Sequence, residues 1–171
     1  VWSMKVYLRT LGCRLNQAEI DTMARQFRQQ GHEIVEDAAL ADQVIVNTCA
    51  VTEDAVRSGR QLIRQINRAN PDAEINVTGC YAQISPDQIA TLPGVSRVID
   101  NLSKDDTVAH ITGVEPAPFD AEPIQRYTPN AVTRTRAFIK VQDGCENACT
   151  FCVTTVARGH GRSRALDEII A

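Results

Sequence analysis

Over the first 113 residues, short apolar runs of strand period alternate with longer stretches of helical period. Lys5-Val6-Tyr7-Leu8-Arg9-Thr10 is rich in β-formers and reads as a strand. Ile20, Met23, Ala24 and Phe27 then recur at i, i+3, i+4 and i+7, predicting a helix over 18–30 with Gly31 at its C′ position. His32 to Val35 reads as a short strand. Val44-Ile45-Val46 is a continuous apolar run, the mark of a strand covered on both faces. Thr52, followed by Glu53 and Asp54, caps a helix that runs to Ala69 and stops at Asn70-Pro71, with Val56, Ile63 and Ile66 toward the core. Ala73 to Thr78 is another extended run. Ser85-Pro86-Asp87-Gln88 reads as a capping box with proline at N1, opening a helix to Leu92. Pro93-Gly94 turns the chain into a strand from Val95 to Ile99, and Ser103 caps a last helix that Gly113 ends. This βαβα alternation predicts an α/β fold, a doubly wound and mostly parallel sheet with helices on both faces.

Beyond this point the pattern changes. Residues 114–135 hold four of the seven prolines and show no periodicity, so they read as a linker. Residues 136–142 alternate and predict a strand, with a cysteine-rich loop after it and a helical start at 165–170. One strand, one loop and half a helix fall short of a domain, and they read as the opening of a larger βα barrel. The expected organisation is an α/β domain at 4–113, a linker at 114–135 and the beginning of a barrel at 136–171.

Composition adds little to this picture, but charge adds more. A chain that is 43% apolar and 23% charged is ordinary for a globular protein. Val1 to Ser3 read as a non-native lead-in to Met4. With neither a signal-peptide core nor an apolar run of membrane length, a cytoplasmic protein without a membrane partner is expected. The net charge is −3, with −6 over residues 1–125 and +3 over residues 126–171. The basic end is the one that carries the clustered cysteines. Arg57, Arg60, Arg64 and Arg68 form a stripe on the second helix; a solvated face accounts for it more simply than contact with RNA.

Six cysteines without a secretion signal argue for metal or redox chemistry rather than disulfides. They fall in two sets. Cys13, Cys49 and Cys80 each follow a predicted strand, next to Gly12, Thr48 and Gly79. In a parallel sheet the carboxyl ends lie along one edge, where ligands bind, so these three thiols are expected to converge. Burial as ordinary core cysteines is the plainer alternative. Cys145, Cys149 and Cys152 follow one another in a C-x3-C-x2-C loop. Three thiolates can hold three corners of a four-iron cube and leave the fourth iron open. A zinc site would need a fourth ligand such as His160.

The loop, with Phe151 as its aromatic, resembles the signature of radical S-adenosylmethionine (SAM) enzymes. Thr10-Leu11-Gly12-Cys13-Arg14-Leu15-Asn16-Gln17, Val46-Asn47-Thr48-Cys49-Ala50-Val51-Thr52 and Val77-Thr78-Gly79-Cys80-Tyr81-Ala82-Gln83 resemble the three cysteine motifs of the radical SAM methylthiotransferases. Gln142-Asp143-Gly144-Cys145 through Cys152, with Ala157-Arg158-Gly159 and Arg162-Ser163-Arg164, resembles the opening of that family's barrel. Arg14-Leu15-Asn16 after the first cysteine is similar to the branch that modifies N6-threonylcarbamoyladenosine in tRNA. The isopentenyladenosine and ribosomal-protein branches carry Gln-Met-Asn and Pro-Lys-Asn there. Thr154-Thr155 departs from the Ile-Pro of many members.

The resemblance implies two 4Fe-4S clusters. One would be held by Cys145, Cys149 and Cys152, with SAM on its open iron and Phe151 near the adenine. The other would be held by Cys13, Cys49 and Cys80. It further implies insertion of a methylthio group at C2 of an anticodon-loop adenosine, with tRNA as partner and a flavodoxin or ferredoxin as electron donor. The competing reading is a non-catalytic iron–sulfur or zinc module.

Overall fold

The computed structural model describes residues 3–116, 138–147 and 149–170. Five strands form one sheet: β1 (Lys5–Thr10), β2 (Glu33–Val35), β3 (Gln43–Thr48), β4 (Glu74–Gly79) and β5 (Val95–Val98). All pair in parallel, in the order β2-β1-β3-β4-β5. The helices between them are α1 (Arg14–Gln29), α2 (Glu53–Ala69), α3 (Cys80–Ile84) and α4 (Pro86–Ala90), and α5 (Thr107–Thr112) follows β5. The expected doubly wound α/β architecture is therefore present.

Strand alternation divides the core between the two faces. Val44 and Val46 of β3 join Ile63, Ile66, Ile75, Val77, Tyr81 and Ile89 beneath α2, α3 and α4. Ile45, between them in sequence, points the other way and meets Val6, Ile20, Met23, Phe27 and Val108. That second cluster lies under α1 and α5. A fully buried central strand is what the run Val44-Ile45-Val46 predicts.

Several boundaries differ from expectation, each for a local reason. α1 begins at Arg14, four residues before Ala18, because its first turn is held by polar contacts of buried Asn16. The capping box at Ser85 does not form. Ser85 makes no side-chain cap bond, and Gln88 instead accepts a hydrogen bond from the Tyr81 hydroxyl (3.2 Å). Thr52 does cap α2, accepting from the Ala55 amide (3.1 Å). Ser103 opens a 3₁₀ turn, Lys104–Asp106, without a side-chain cap, and α5 follows, ended by Gly113 in the left-handed region. α3 was not expected, since its five residues are too few for a helical period to register.

The expected linker lies outside the described residues from 117 on, as do residues 136 and 137 of the expected strand. Of the rest of that strand, only β6 (Gln142–Asp143) pairs, antiparallel to β7 (Arg162–Ser163). Alternation shows that a segment can form a strand, but a ladder also needs a neighbour; within 138–141 the structure gives one to Val141, whose carbonyl accepts from the Arg164 amide (3.0 Å). Two further helices complete this part, α6 (Val153–Arg158) and α7 (Leu166–Ile170).

Candidate metal centre

The strand order reverses between β1 and β3, which places a ligand crevice at their carboxyl ends. Cys13 follows β1, Cys49 follows β3, and Cys80 follows β4, the next strand over. Cys13 is exposed at the N-cap of α1, whereas Cys49 and Cys80 are buried. The structure thus brings the three segments to adjacent positions on one edge.

Side chains between the cysteines fix these strand ends. Asn16 Nδ2 donates to the carbonyls of Leu11 (2.9 Å) and Thr48 (3.1 Å), clamping the ends of β1 and β3 together. The Cys13 thiol donates to Asn16 Oδ1 at 3.5 Å. Thr48 Oγ1 donates to the Thr78 carbonyl (2.6 Å) and accepts from the Ala82 amide (3.3 Å), joining β3 to β4 and α3. Gly12 has φ +108°, and a Cβ there would stand 2.6 Å from Cys49 Cβ and 2.8 Å from Cys49 Sγ. Only glycine both adopts this backbone and lets the Cys49 side chain pack this closely against the end of β1. Burial pushes the Cys80 thiol above its ordinary pKa, and the nearby cations Arg158 and Lys104 act against that rise.

The loop cysteines are more open. Cys149 is exposed, and Cys145 and Cys152 are half-buried. The Cys145 amide donates to the Gly159 carbonyl (3.1 Å), and the Cys152 amide to the Cys149 carbonyl (3.3 Å). Hydrogen bonds from the side chain and amide of Thr154, then from Thr155, lower the Cys152 thiol pKa. Phe151 is 91% exposed. The His160 side chain is 90% exposed, and its Nδ1 lies 3.5 Å from Glu146 Oε2.

Among the described residues, no group of three or more Cys, His, Asp or Glu side chains is arranged to hold a metal ion. A four-iron cluster places each thiolate on a separate iron, so its sulfurs stand wider apart than the ligands of a single ion. By donor chemistry, two all-thiol sets suit such clusters.

The structure also contains a feature that sequence reasoning missed. Glu19, Lys104, Lys140, Asp143 and Arg158 are all buried and form one ionic network. Arg158 Nη1 donates to Glu19 Oε1 (2.9 Å) and Asp143 Oδ1 (2.7 Å), while Nη2 donates to Asn16 Oδ1 (2.6 Å). Lys104 Nζ lies 2.9 Å from Glu19 Oε2, and Lys140 Nζ lies 3.0 Å from Asp143 Oδ2 and 3.4 Å from Glu19 Oε1. Asn47 Nδ2 also donates to Glu19 (2.9 Å). Burial alone would raise the Glu19 pKa, but Lys104, Arg158 and Asn47 outweigh it and hold the carboxyl at about 2. Arg158 and Lys140 do the same for Asp143, also to about 2. The one sequence signal was Glu19 on the apolar side of α1, next to Ile20.

This network fastens the loop segment to the α/β domain. The Asn101 side-chain amide adds a hydrogen bond to the Ala157 carbonyl. Cys152 caps α6 and Arg158 is its last residue. At a rise of about 1.5 Å per residue, the loop thiols begin roughly 9 Å along the helix from the residue packed beside Asn16 and Cys80. Both cysteine sets thus lie at the same end of the sheet.

The fold and this edge define a doubly wound α/β domain that presents thiols at its ligand-binding end. Residues 5–100 match the family described as uncharacterized protein family UPF0004, and the chain belongs to that family. Several of its curated relatives are named as methylthiotransferases. It is 38% identical to the threonylcarbamoyladenosine tRNA methylthiotransferase MtaB of Aquifex aeolicus, over 98% of this chain and 43% of the relative. Identity is 36% to the protein of the same name from Bacillus subtilis, over 96% of this chain and 39% of that one. The ribosomal protein uS12 methylthiotransferase RimO of Anaeromyxobacter is 28% identical, over 98% and 38%. The chain therefore spans about two fifths of the length of the curated relatives it matches. Among the described residues, no helix is long and apolar enough to cross a membrane.

Proposed function

We propose that this chain forms the cluster-binding N-terminal portion of a radical SAM methylthiotransferase that modifies N6-threonylcarbamoyladenosine in tRNA. The observation that carries the reading is the placement of Cys13, Cys49 and Cys80 at the ends of three neighbouring parallel strands, on the side where the Cys145–Cys152 loop docks. The branch is supported by higher identity to the threonylcarbamoyladenosine enzymes than to the ribosomal-protein one. Cys13, Cys49 and Cys80 would hold one 4Fe-4S cluster, and Cys145, Cys149 and Cys152 the other. When bound, the clusters and SAM supply a hydrogen-abstracting radical, sulfur and a methyl group for methylthiolation at adenosine C2. The chain's own part is to orient and shelter. Asn16 and Thr48 hold the strand ends in register, Gly12 lets the Cys49 side chain pack against the end of β1, and Phe151 would offer a ring to the SAM adenine. The domains follow as 4–113 for the α/β unit, 114–135 for the linker and 136–171 for the start of a barrel. An electron donor of flavodoxin or ferredoxin type and a cytoplasmic setting belong to the same reading.

Anaerobic reconstitution tests it. The expected loading is about eight irons per chain, falling to about four when either cysteine set is replaced by alanine. Loading with zinc alone, lost on His160→Ala, would overturn it in favour of a zinc module. The branch is tested with the full-length protein, by its product on tRNA with and without the threonylcarbamoyl group.

A further inference from the structure

Arg158 and Asn16 are joined in a way that neither cysteine motif requires on its own. Arg158 is 4% exposed and Asn16 is fully buried, yet they come from opposite ends of the chain. The Arg158 guanidinium reaches both ways. Nη1 bonds Asp143, whose Oδ1 also accepts from the Gly144 amide (2.9 Å), one residue before Cys145. Nη2 bonds Asn16 Oδ1, the same atom that accepts from the Cys13 thiol. Through its Nδ2, Asn16 then bonds the Leu11 and Thr48 carbonyls, which precede Gly12-Cys13 and Cys49. An unbroken chain of side-chain hydrogen bonds thus runs from the loop that carries Cys145 to the strand ends that carry Cys13 and Cys49.

We propose that Asn16 and Arg158 are positioning residues that set the two cysteine sets against each other, Arg158 docking the loop segment onto Asn16 and Asn16, by its other arm, clamping the strand ends. The proposal deepens the cluster-enzyme reading, since two clusters serving one substrate need a fixed separation. Its geometry is testable without metal. The two residues have separable arms, so their variants should give opposite patterns. Arg158→Met removes every guanidinium bond but leaves Asn16 clamping Leu11 and Thr48. Asn16→Asp keeps an acceptor for Arg158 but loses both donors to the strand ends.

Amide hydrogen exchange of the whole chain reads both. In R158M, amides of 142–163 should exchange at least about tenfold faster, with those of 11–13 and 47–49 near the parent rate. In N16D the strand-end amides should accelerate by a similar factor while 142–163 stays protected. A purely structural contribution would move both regions together. Unchanged protection of 142–163 in R158M, or equal loss in sheet and loop in either variant, overturns the assignment. Iron loading of the parent chain tests the cluster reading separately, so the failure of one is distinguishable from the failure of the other.

Discussion

Glu19 shows how much one buried carboxylate can organise. Three cations, from Lys104, Lys140 and Arg158, converge on its two oxygens. Lys104 is completely buried, and its pKa is lowered because burial outweighs the attraction of Glu19. Removing one partner of a buried pair leaves an uncompensated charge, which typically costs about 3–5 kcal/mol. Glu19→Ala should therefore destabilise the chain by about that much in a denaturant titration, far more than loss of the exposed Asp54–Arg57 pair (3.0 Å), for which about 0–1 kcal/mol is expected. Gly12→Ala tests a different constraint at the same scale. The added Cβ meets the Cys49 side chain at 2.6 Å and requires a backbone that L-residues rarely adopt. A loss of about 1–3 kcal/mol is expected by thermal melting.

Among the secondary-structure elements, the ends of β3 and β4 bear the strongest constraints. Thr48 is buried, and its hydroxyl is the link between β3, β4 and the start of α3, where Cys80 sits. Thr48→Val preserves shape but strands the Ala82 amide. A cost of about 1–3 kcal/mol is expected from denaturant titration, with faster exchange of the amides of α3. The sheet itself was legible in the sequence, because Val44-Ile45-Val46 and the i, i+3, i+4, i+7 pattern of α1 encode burial locally. So were the positions of Cys13, Cys49 and Cys80, since a strand end can be counted along the chain. The ionic network was not. Glu19, Lys104 and Arg158 are far apart in sequence, and their pairing follows no period. Within the expected 136–142 strand, 138–141 are not assigned as strand for a related reason: alternation records a preference, while a ladder depends on which segment lies alongside. Ser85-Pro86-Asp87-Gln88 failed as a capping box because Gln88 had a competing partner in Tyr81, which local spacing cannot reveal.

Taken as a whole molecule, the chain is held together in two different ways, and acid should separate them. The α/β domain rests on apolar clusters covering both faces of the sheet. Residues 140–163 are fastened to it by buried charges and by the hydrogen bond from Asn101 to the Ala157 carbonyl. Glu19 and Asp143 sit at about 2 in the folded protein, against about 4.3 and 3.9 for unperturbed carboxyls. Between those limits the unfolded chain binds more protons than the folded one, so stability rises with pH there. The contribution is fully present above about pH 5 and is lost as pH falls toward 2. Protonating Glu19 also leaves Lys104, Lys140 and Arg158 as three cations packed together, with Lys104 on the domain side and the other two on the docking segment. Repulsion then pushes the segment away, while protonation leaves the apolar faces of the sheet untouched. Hydrogen exchange as pH is lowered to about 2 should show 142–163 losing protection before β3 and β4 do. Because the charges are buried and screened little by ions, 1 M salt at neutral pH should not reproduce the effect. A single acid transition in which loop and sheet amides are lost together would mean that the apolar core and the ionic network form one cooperative unit.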